Sequence, residues 1–255
     1  MIYRGLKNVY WYLLGSIASL AFLIAYVPAS QGVYRATQAI PGLSVSGVSG
    51  TLWQGNIQRL NVQGIQLVNI NWQLSPLALL GLQAKVDIRA GNLRSPQQLY
   101  VAGHISLPLF ARSKFSMQDL RVLMPANMAM AQLTLPVPVN AQGRFEVALQ
   151  NFEFDQGCAQ LGGTGKWLNG SVSGTQGPIS FGDFNAELSC DGRNFSAQIK
   201  PPNRLSLDAK VSVNLQGQYQ VSGKFKPDPQ LPAEVHQAAQ FFGQPDAQGM
   251  RSINL

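Results

Sequence analysis

The chain alternates strictly between apolar and polar residues over a long stretch near its C-terminus, and this pattern limits the fold more than any other. Apolar residues or glycine occupy every odd position from 205 to 225, and polar residues occupy every even position between them. A strand with one face on a core and the other in water has this period of two. The 25 glycines and 15 prolines indicate many short turns, which leave no room for crossover helices. We therefore predict a mainly β protein built on a long, curled antiparallel sheet with a few short helices.

Shorter alternating stretches precede this one, and segments with helical spacing interrupt them. The alternating stretches are 68–74, 82–90, 99–107, 145–149 and 184–190. Helical spacing predicts short helices at 30–40, 117–124 and 232–242. Residues 77–80 fit either a single helical turn or a tight corner.

The organisation after the first 42 residues is that of one β-rich domain, 43–255. Pro136 and Pro138 cannot donate to a strand ladder, so 133–138 is predicted to be an edge strand or a crossover. This segment divides the domain into two loosely similar halves, 43–130 and 131–255. Each half has several alternating stretches followed by a short helix.

A stretch without any charged side chain, residues 9–27, predicts one transmembrane helix at the start of the chain. Nineteen helical residues are roughly 28 Å long, close to the thickness of bilayer hydrocarbon. Arg4 and Lys7 precede the stretch, so residues 1–8 are expected in the cytoplasm and the rest of the chain outside it. Residues 28–42 then form a juxtamembrane helix and linker. The alternative is a cleaved signal peptide, with a cleavage site near Ala29.

The two cysteines, Cys158 and Cys190, both follow the predicted span. On this topology they lie in an oxidising compartment, which favours a disulfide between them. The alternative is a pair of free, buried thiols.

The residues that carry catalysis, metal binding or nucleic-acid binding are sparse. His104 and His236 are the only histidines, and neither has a Cys, Asp or Glu at ligand spacing, so both are interpreted as structural. The glycines of 162–166 lack the spacing of a phosphate loop and are interpreted as a loop near the disulfide. Charged residues make up 12% of the chain without a run of Lys or Arg, which argues against nucleic-acid binding. We predict no enzyme activity, no cofactor and no metal site.

Two motifs go beyond fold class. The first is Gly50-Thr51-Leu52-Trp53-Gln54-Gly55, and the second is Trp72-Gln73-Leu74-Ser75-Pro76-Leu77-Ala78-Leu79-Leu80-Gly81. Together with the single N-terminal anchor, the two cysteines and a Gly-Gln-Pro-Asp-Ala-Gln-Gly element at 243–249, they resemble the N-protein family of the type II secretion system. Both tryptophans are predicted to bury their rings in the sheet, and the flanking glycines to allow close turns. The expected structural residues are Gly50, Thr51, Leu52, Trp53, Gly55, Trp72, Leu74, Pro76, Leu79, Leu80 and Gly81.

The resemblance implies a single-pass inner-membrane protein with a periplasmic domain, a component of the machinery that exports folded proteins across the outer membrane. The implied role is that of a scaffold or adaptor, with other type II secretion components as partners. The family is also similar in build to envelope proteins whose curled sheets hold lipid. The alternative function is therefore a periplasmic lipid-binding or lipid-transfer module, with phospholipid as its ligand. An open apolar trough favours the lipid module, whereas an apolar face covered by helices favours the scaffold.

Overall fold

A computed structural model describes residues 2–39, 41–62, 64–111, 113–131 and 140–254. It contains one thirteen-stranded sheet in which each strand pairs antiparallel with the next strand along the chain. The helices are α1 Ile2–Ala25, α2 Ala29–Ala39, α3 Pro76–Leu80, α4 Ala126–Met130 and α5 Ala233–Gln240. The strands are β1 Leu43–Gly50, β2 Gln54–Val62, β3 Ile65–Leu74, β4 Gln83–Ala90, β5 Tyr100–Pro108, β6 Lys114–Pro125, β7 Ala141–Asp155, β8 Cys158–Gly174, β9 Gly177–Asp191, β10 Asn194–Lys200, β11 Asp208–Val213, β12 Tyr219–Phe225 and β13 Arg251–Asn254.

Because the strands follow one another in order, alternate connections lie at opposite ends of the sheet. One end, here called the α1 end, holds the connections 51–53, 75–82, 109–111, 156–157, 192–193 and 214–218. The other, here called the far end, holds 64, 91–99, 126–131, 175–176, 201–207 and 226–250. The name of the first end reflects its contact with the C-terminal residues of α1, described below.

The register places apolar residues on one face of the sheet, here called the apolar face. Successive register partners from β7 to β12 form one row across it: Leu149, Gly163, Leu188, Ala197, Val211 and Val221. The neighbouring row on the opposite face is polar: Thr164, Glu187, Gln198, Lys210 and Ser222. The period of two in the sequence therefore corresponds to two chemically distinct faces, as predicted.

The sheet is strongly curved between β7 and β10. Strands three positions apart lie about 14 Å from each other in a flat sheet. The ring centroids of Phe152 on β7 and Phe195 on β10 are only 5.9 Å apart. The apolar face is therefore concave here, which confirms the predicted curl.

Two buried clusters lie on the sheet, and helices contribute to both. Ile57, Ile70 and Ala90 form the first, with Val33 of α2 packed against it. Ile179, Phe181, Phe184 and Leu231 form the second, with Val235 of α5 packed against it. The two helices thus cover parts of the sheet that are far apart along the chain.

Most of the predicted helices are confirmed, but the one at 117–124 is wrong. These residues belong to β6, whose pairing with β5 shifts register between Ala102 and His104. Asp119 lies opposite this shift with a φ of 49°. An extra residue in a strand places Met117 and Leu120 on the same face with a spacing of three, and this irregularity imitates a helical pattern.

Two other expectations concern 162–166 and 133–138. The glycines of 162–166 lie inside β8, so the prediction of a loop there is wrong. The predicted edge strand or crossover at 133–138 lies outside the described residues. The division of the domain into two halves stays a prediction. Strand pairing continues from β6 to β7 across the boundary between them.

The N-terminal segment is helical from Ile2 to Ala25, and α2 follows after a short break. Judged by length and apolarity together, none of the helices in the described part of the chain qualifies as a membrane-crossing segment.

Candidate functional site

The concave part of the apolar face contains a groove of about 470 Å³. Residues from β6 to β11 line it, and thirteen of the fourteen lining residues are apolar, Ser196 being the exception. Aromatic rings form much of its wall: Phe115 stacks on Phe154, with ring centroids 4.9 Å apart, and also contacts Phe152. A groove of this size with almost no polar lining suits an extended apolar ligand.

The groove lies in the halves of its strands nearest the α1 end. Its lining residues include Phe115, which follows the start of β6, and Val213, the last residue of β11. The buried cluster of Phe184 and Leu231 covers the same face toward the far end. The groove is therefore bounded toward the far end by the cluster that α5 supports.

A disulfide joins Cys158 and Cys190 at the α1 end of the groove, which confirms the predicted pairing. The ladder between β8 and β9 stops at the pair Gly163 and Leu188. Both cysteines lie beyond this last pair, with their Cα atoms 5.6 Å apart. The disulfide thus holds two strands together where their hydrogen bonding has ended.

The first sequence motif joins the N-terminal helices to the sheet, and we call this region the junction. The Trp53 indole Nε1 donates to the Ile24 carbonyl oxygen at 2.9 Å, and the Leu52 N–H donates to the Val27 carbonyl oxygen at 2.9 Å. Thr51 forms an isolated bridge with Pro28. The structure therefore gives Trp53 a contact with α1 that the sequence did not predict.

The second motif completes the junction from β3. The Leu74 N–H donates to the Trp53 carbonyl oxygen at 2.6 Å, and the Trp72 indole donates to the Leu52 carbonyl oxygen at 3.1 Å. Gly50 has a φ of 92°, and a Cβ there would lie 2.5 Å from the Gln54 carbonyl oxygen. A side chain at position 50 would therefore prevent the close turn between β1 and β2.

The rest of the second motif forms a corner instead of a core. Pro76 begins α3 at its first turn, where a missing N–H costs nothing, and Gly81 follows its last residue. Leu79 is half-buried, whereas Leu80 is exposed. The motif residues from 50 to 74 are thus brought together at the junction, while those from 76 to 81 project from the α1 end.

A second cavity, of about 740 Å³, is lined by residues of β1 to β5 and by Asp119. His104 and Asp87 are register partners on β5 and β4, and their side chains form an ion pair when the imidazole is protonated. Both side chains are exposed. The sequence does not predict the pair of His104 and Asp87, because the contact between residues 17 apart in sequence depends on the register of the two strands. Among the residues that the structure describes, no three His, Cys, Asp or Glu side chains group closely enough to hold a metal ion.

Within the ranges that the structure describes, three charged groups have shifted pKa values. A hydrogen bond from Lys210 lowers the pKa of Asp191, and one from Lys224 lowers the pKa of Asp246. Burial, above all, lowers the pKa of Arg144, whose guanidinium donates to carbonyl oxygens of the 91–99 connection. Each of these groups fastens a strand or a connection, and none of them lies in the groove.

The fold and site define a class of mainly β protein, in which an N-terminal helical segment is fastened to one end of a curled meander sheet with an apolar groove. The profile of the family "Type II secretion system (T2SS), protein N" matches residues 41–254, so the chain belongs to this family. No solved structure matches the chain.

Several relatives carry the name type II secretion system protein N. The relative from Vibrio cholerae serotype O1 is 30% identical over 251 residues, which cover 95% of each chain. The relative from Aeromonas hydrophila is 29% identical over 91% of each chain. The relative from Pectobacterium carotovorum subsp. carotovorum is 27% identical over 92% of this chain and 90% of its own.

Proposed function

We propose that this protein is a non-enzymatic component of the type II secretion machinery that is anchored in the inner membrane and acts in the periplasm as a scaffold or adaptor. The observation that carries this proposal is the junction. Hydrogen bonds from Trp53 and Leu52 fix the sheet to the end of α1 instead of leaving it on a free linker. A domain held in this way has a defined position beside its anchor, as a structural component of an assembly requires.

The anchoring is supported by the sequence and by the surface of α1. Residues 9–27 carry no charge, and the only basic residues before them are Arg4 and Lys7. Large apolar side chains of this segment are exposed and would be stable in lipid: Trp11, Tyr12, Leu14, Ile17, Leu20, Phe22, Leu23, Ile24 and Tyr26. The disulfide suits the oxidising periplasm.

A chromosomal deletion tests the proposal. Loss of the protein should reduce the export of folded periplasmic substrates, and the full-length chain supplied in trans should restore it. A C-terminal reporter that is active only after export should be active, which tests the topology separately. Unchanged secretion in the deletion strain would contradict the role in export.

A second candidate function is a lipid-binding or lipid-transfer module, and the groove favours it. A scaffold whose apolar face is fully packed needs helices over that face, but α2 and α5 pack against clusters outside the groove. Groove residues such as Val211 and Val213 are only half-buried. Organic extraction of the purified full-length protein, followed by mass spectrometry, distinguishes the two: stoichiometric phospholipid supports the lipid module, and its absence supports the scaffold.

A further inference from the structure

Exposed apolar side chains cluster at the α1 end of the sheet, on two neighbouring connections. Leu77 and Leu80 of α3 are 78% and 83% exposed, and Phe110, after β5, is 82% exposed. Further exposed residues on these connections and on the adjoining end of β5 complete a set that we call the tip: Leu77, Leu80, Leu82, Leu107, Leu109 and Phe110. Large apolar side chains grouped at one place on a surface indicate a site of interaction.

The tip is one continuous surface. The Leu109 N–H donates to the Leu82 carbonyl oxygen at 3.0 Å, and Gln83 pairs with Pro108 in the adjoining ladder. These contacts hold the α3 corner and the β5–β6 connection side by side.

The tip also lies next to the end of α1. Leu74, two residues before α3, donates to the carbonyl oxygen of Trp53, whose indole in turn donates to Ile24 in the last turn of α1. Two hydrogen bonds therefore connect the corner that carries Leu77 and Leu80 to the helix that we propose as the membrane anchor.

The charges around the tip suit a lipid surface. Residues 74–84 and 105–111 contain no charged side chain, and the charged residues that directly follow these two segments, Lys85 and Arg112, are basic. Asp87, two residues after Lys85, pairs with His104. Two acidic residues at neighbouring strand ends are ion-paired, Asp155 with Lys114 and Asp191 with Lys210. Apolar side chains flanked by basic ones are typical of segments that enter the interface of an anionic membrane.

We propose that the tip inserts its leucines and Phe110 into the phospholipid surface beside α1. This inference rests on the proposed anchoring, because α1 in the bilayer brings the tip to the membrane. It gives the domain a second attachment and so sets its orientation: the strands stand with their α1 ends at the membrane. The part of the groove lined by Phe115 and Phe154 then faces the lipid, since both residues lie at strand ends next to the tip.

Site-specific photo-crosslinking of the full-length chain tests the inference. p-Benzoylphenylalanine replaces Phe110 in one variant, Leu80 in a second and Phe241 in the control. Phe241 is 92% exposed but lies at the far end, after α5. Each variant is placed in nanodiscs of phosphatidylethanolamine and phosphatidylglycerol, and the lipid adduct is quantified by mass spectrometry after the intact disulfide has been verified.

The ratio of adducts decides the outcome. Positions 110 and 80 should each give at least about five times more lipid adduct than position 241, as expected for side chains in the interface. Equal yields would overturn the inference, as would crosslinks from position 110 to protein instead of lipid in native membranes. Carbonate washing of native membranes tests the anchoring by itself: a released chain would overturn the anchoring, while the adduct ratio still decides whether the tip binds lipid.

Discussion

The indole ring of Trp72 on β3 occupies the space that a side chain at Gly55 on β2 would fill. The two residues are register partners, and a Cβ at Gly55 would lie 2.5 Å from Cη2 of Trp72 and 2.7 Å from the carbonyl oxygen of Ser49. The ring thus covers the glycine, and its Nε1 reaches the carbonyl oxygen of Leu52. The two motifs of the sequence are therefore parts of one packing arrangement.

This arrangement predicts that Gly55→Ala destabilises the protein. The added methyl group would displace the ring and the hydrogen bond that it makes, at a cost of about 1–3 kcal/mol in the free energy of unfolding. Gly165→Ala is the matched control, because Gly165 also lies inside a strand on the apolar face but its nearest neighbour would be 3.6 Å away. Guanidinium unfolding in detergent, followed by circular dichroism, measures both. Equal stability of the two variants would contradict the packing.

The hydrogen bond between Trp53 and Ile24 predicts a local effect of Trp53→Phe. The phenyl ring keeps most of the packing but loses the donor, which should weaken the junction by about 0.5–1.5 kcal/mol. Limited proteolysis between α1 and α2 should then become faster. Trp11→Phe is the control, since Trp11 is exposed on α1. An unchanged cleavage rate in Trp53→Phe would show that the indole does not fasten the helix.

Because both motif tryptophans are only half-buried, we expect replacement of either one by Ala to lower the free energy of unfolding by less than the roughly 3–5 kcal/mol of a fully buried ring.

Much of the sheet could be predicted because its faces differ so strongly in polarity. The odd positions of β11 and β12 lie on the apolar face as expected, with Ala209 and Phe225 buried. The strand at 117–124 could not be predicted in this way, because one extra residue at Asp119 shifts the phase of the alternation.

The site was less predictable, because it depends on contacts between distant parts of the chain. The cysteines could be paired from their compartment and number alone. The groove could not be predicted, because the alternation of apolar and polar residues does not determine which way the sheet curves or how much of its apolar face α5 covers. The contact of Trp53 with α1 likewise joins residues 29 positions apart, and no local pattern records it.

The lowered pKa of Asp246 predicts acid sensitivity of the C-terminal strand. Its carboxylate accepts from Lys224 and from the N–H groups of Gln248 and Met250, just before β13. Because the pKa is lower in the folded than in the unfolded chain, the stabilisation is complete above the unfolded value of about 3.9 and is lost as the pH falls through the folded value. The free energy of unfolding of the parent chain, measured with urea, should decrease below about pH 4, and that of Asp246→Asn should decrease less over the same range. Parallel pH profiles would contradict the role of this carboxylate.

The position of the disulfide beyond the β8–β9 ladder predicts which part of the sheet is destabilised when the bond is removed. Thiol labelling of the chain denatured without reductant should detect no free cysteine. The double variant Cys158→Ser, Cys190→Ser should lose up to about 3–4 kcal/mol, the chain-entropy estimate for a loop of this length. Hydrogen exchange should rise first at 158–162 and 189–193, while the ladder from Gly163 onward stays protected. Uniform loss of protection would show that the bond supports the whole sheet instead of the end of the groove.

Val213→Asp distinguishes the packed and lipid-bound forms of the apolar face. Val213 lines the groove, and a carboxylate there would enter an environment with almost no polar partner. If the groove is closed by a protein partner or by packing, the variant should lose several kcal/mol of stability. If the groove holds lipid, the fold should survive and the co-purified phospholipid should disappear. Ser222→Asp places the same charge on the polar face opposite Lys210 and should change neither quantity. Lipid retained by the parent and by Ser222→Asp, but lost from a folded Val213→Asp, would favour the lipid module over the scaffold.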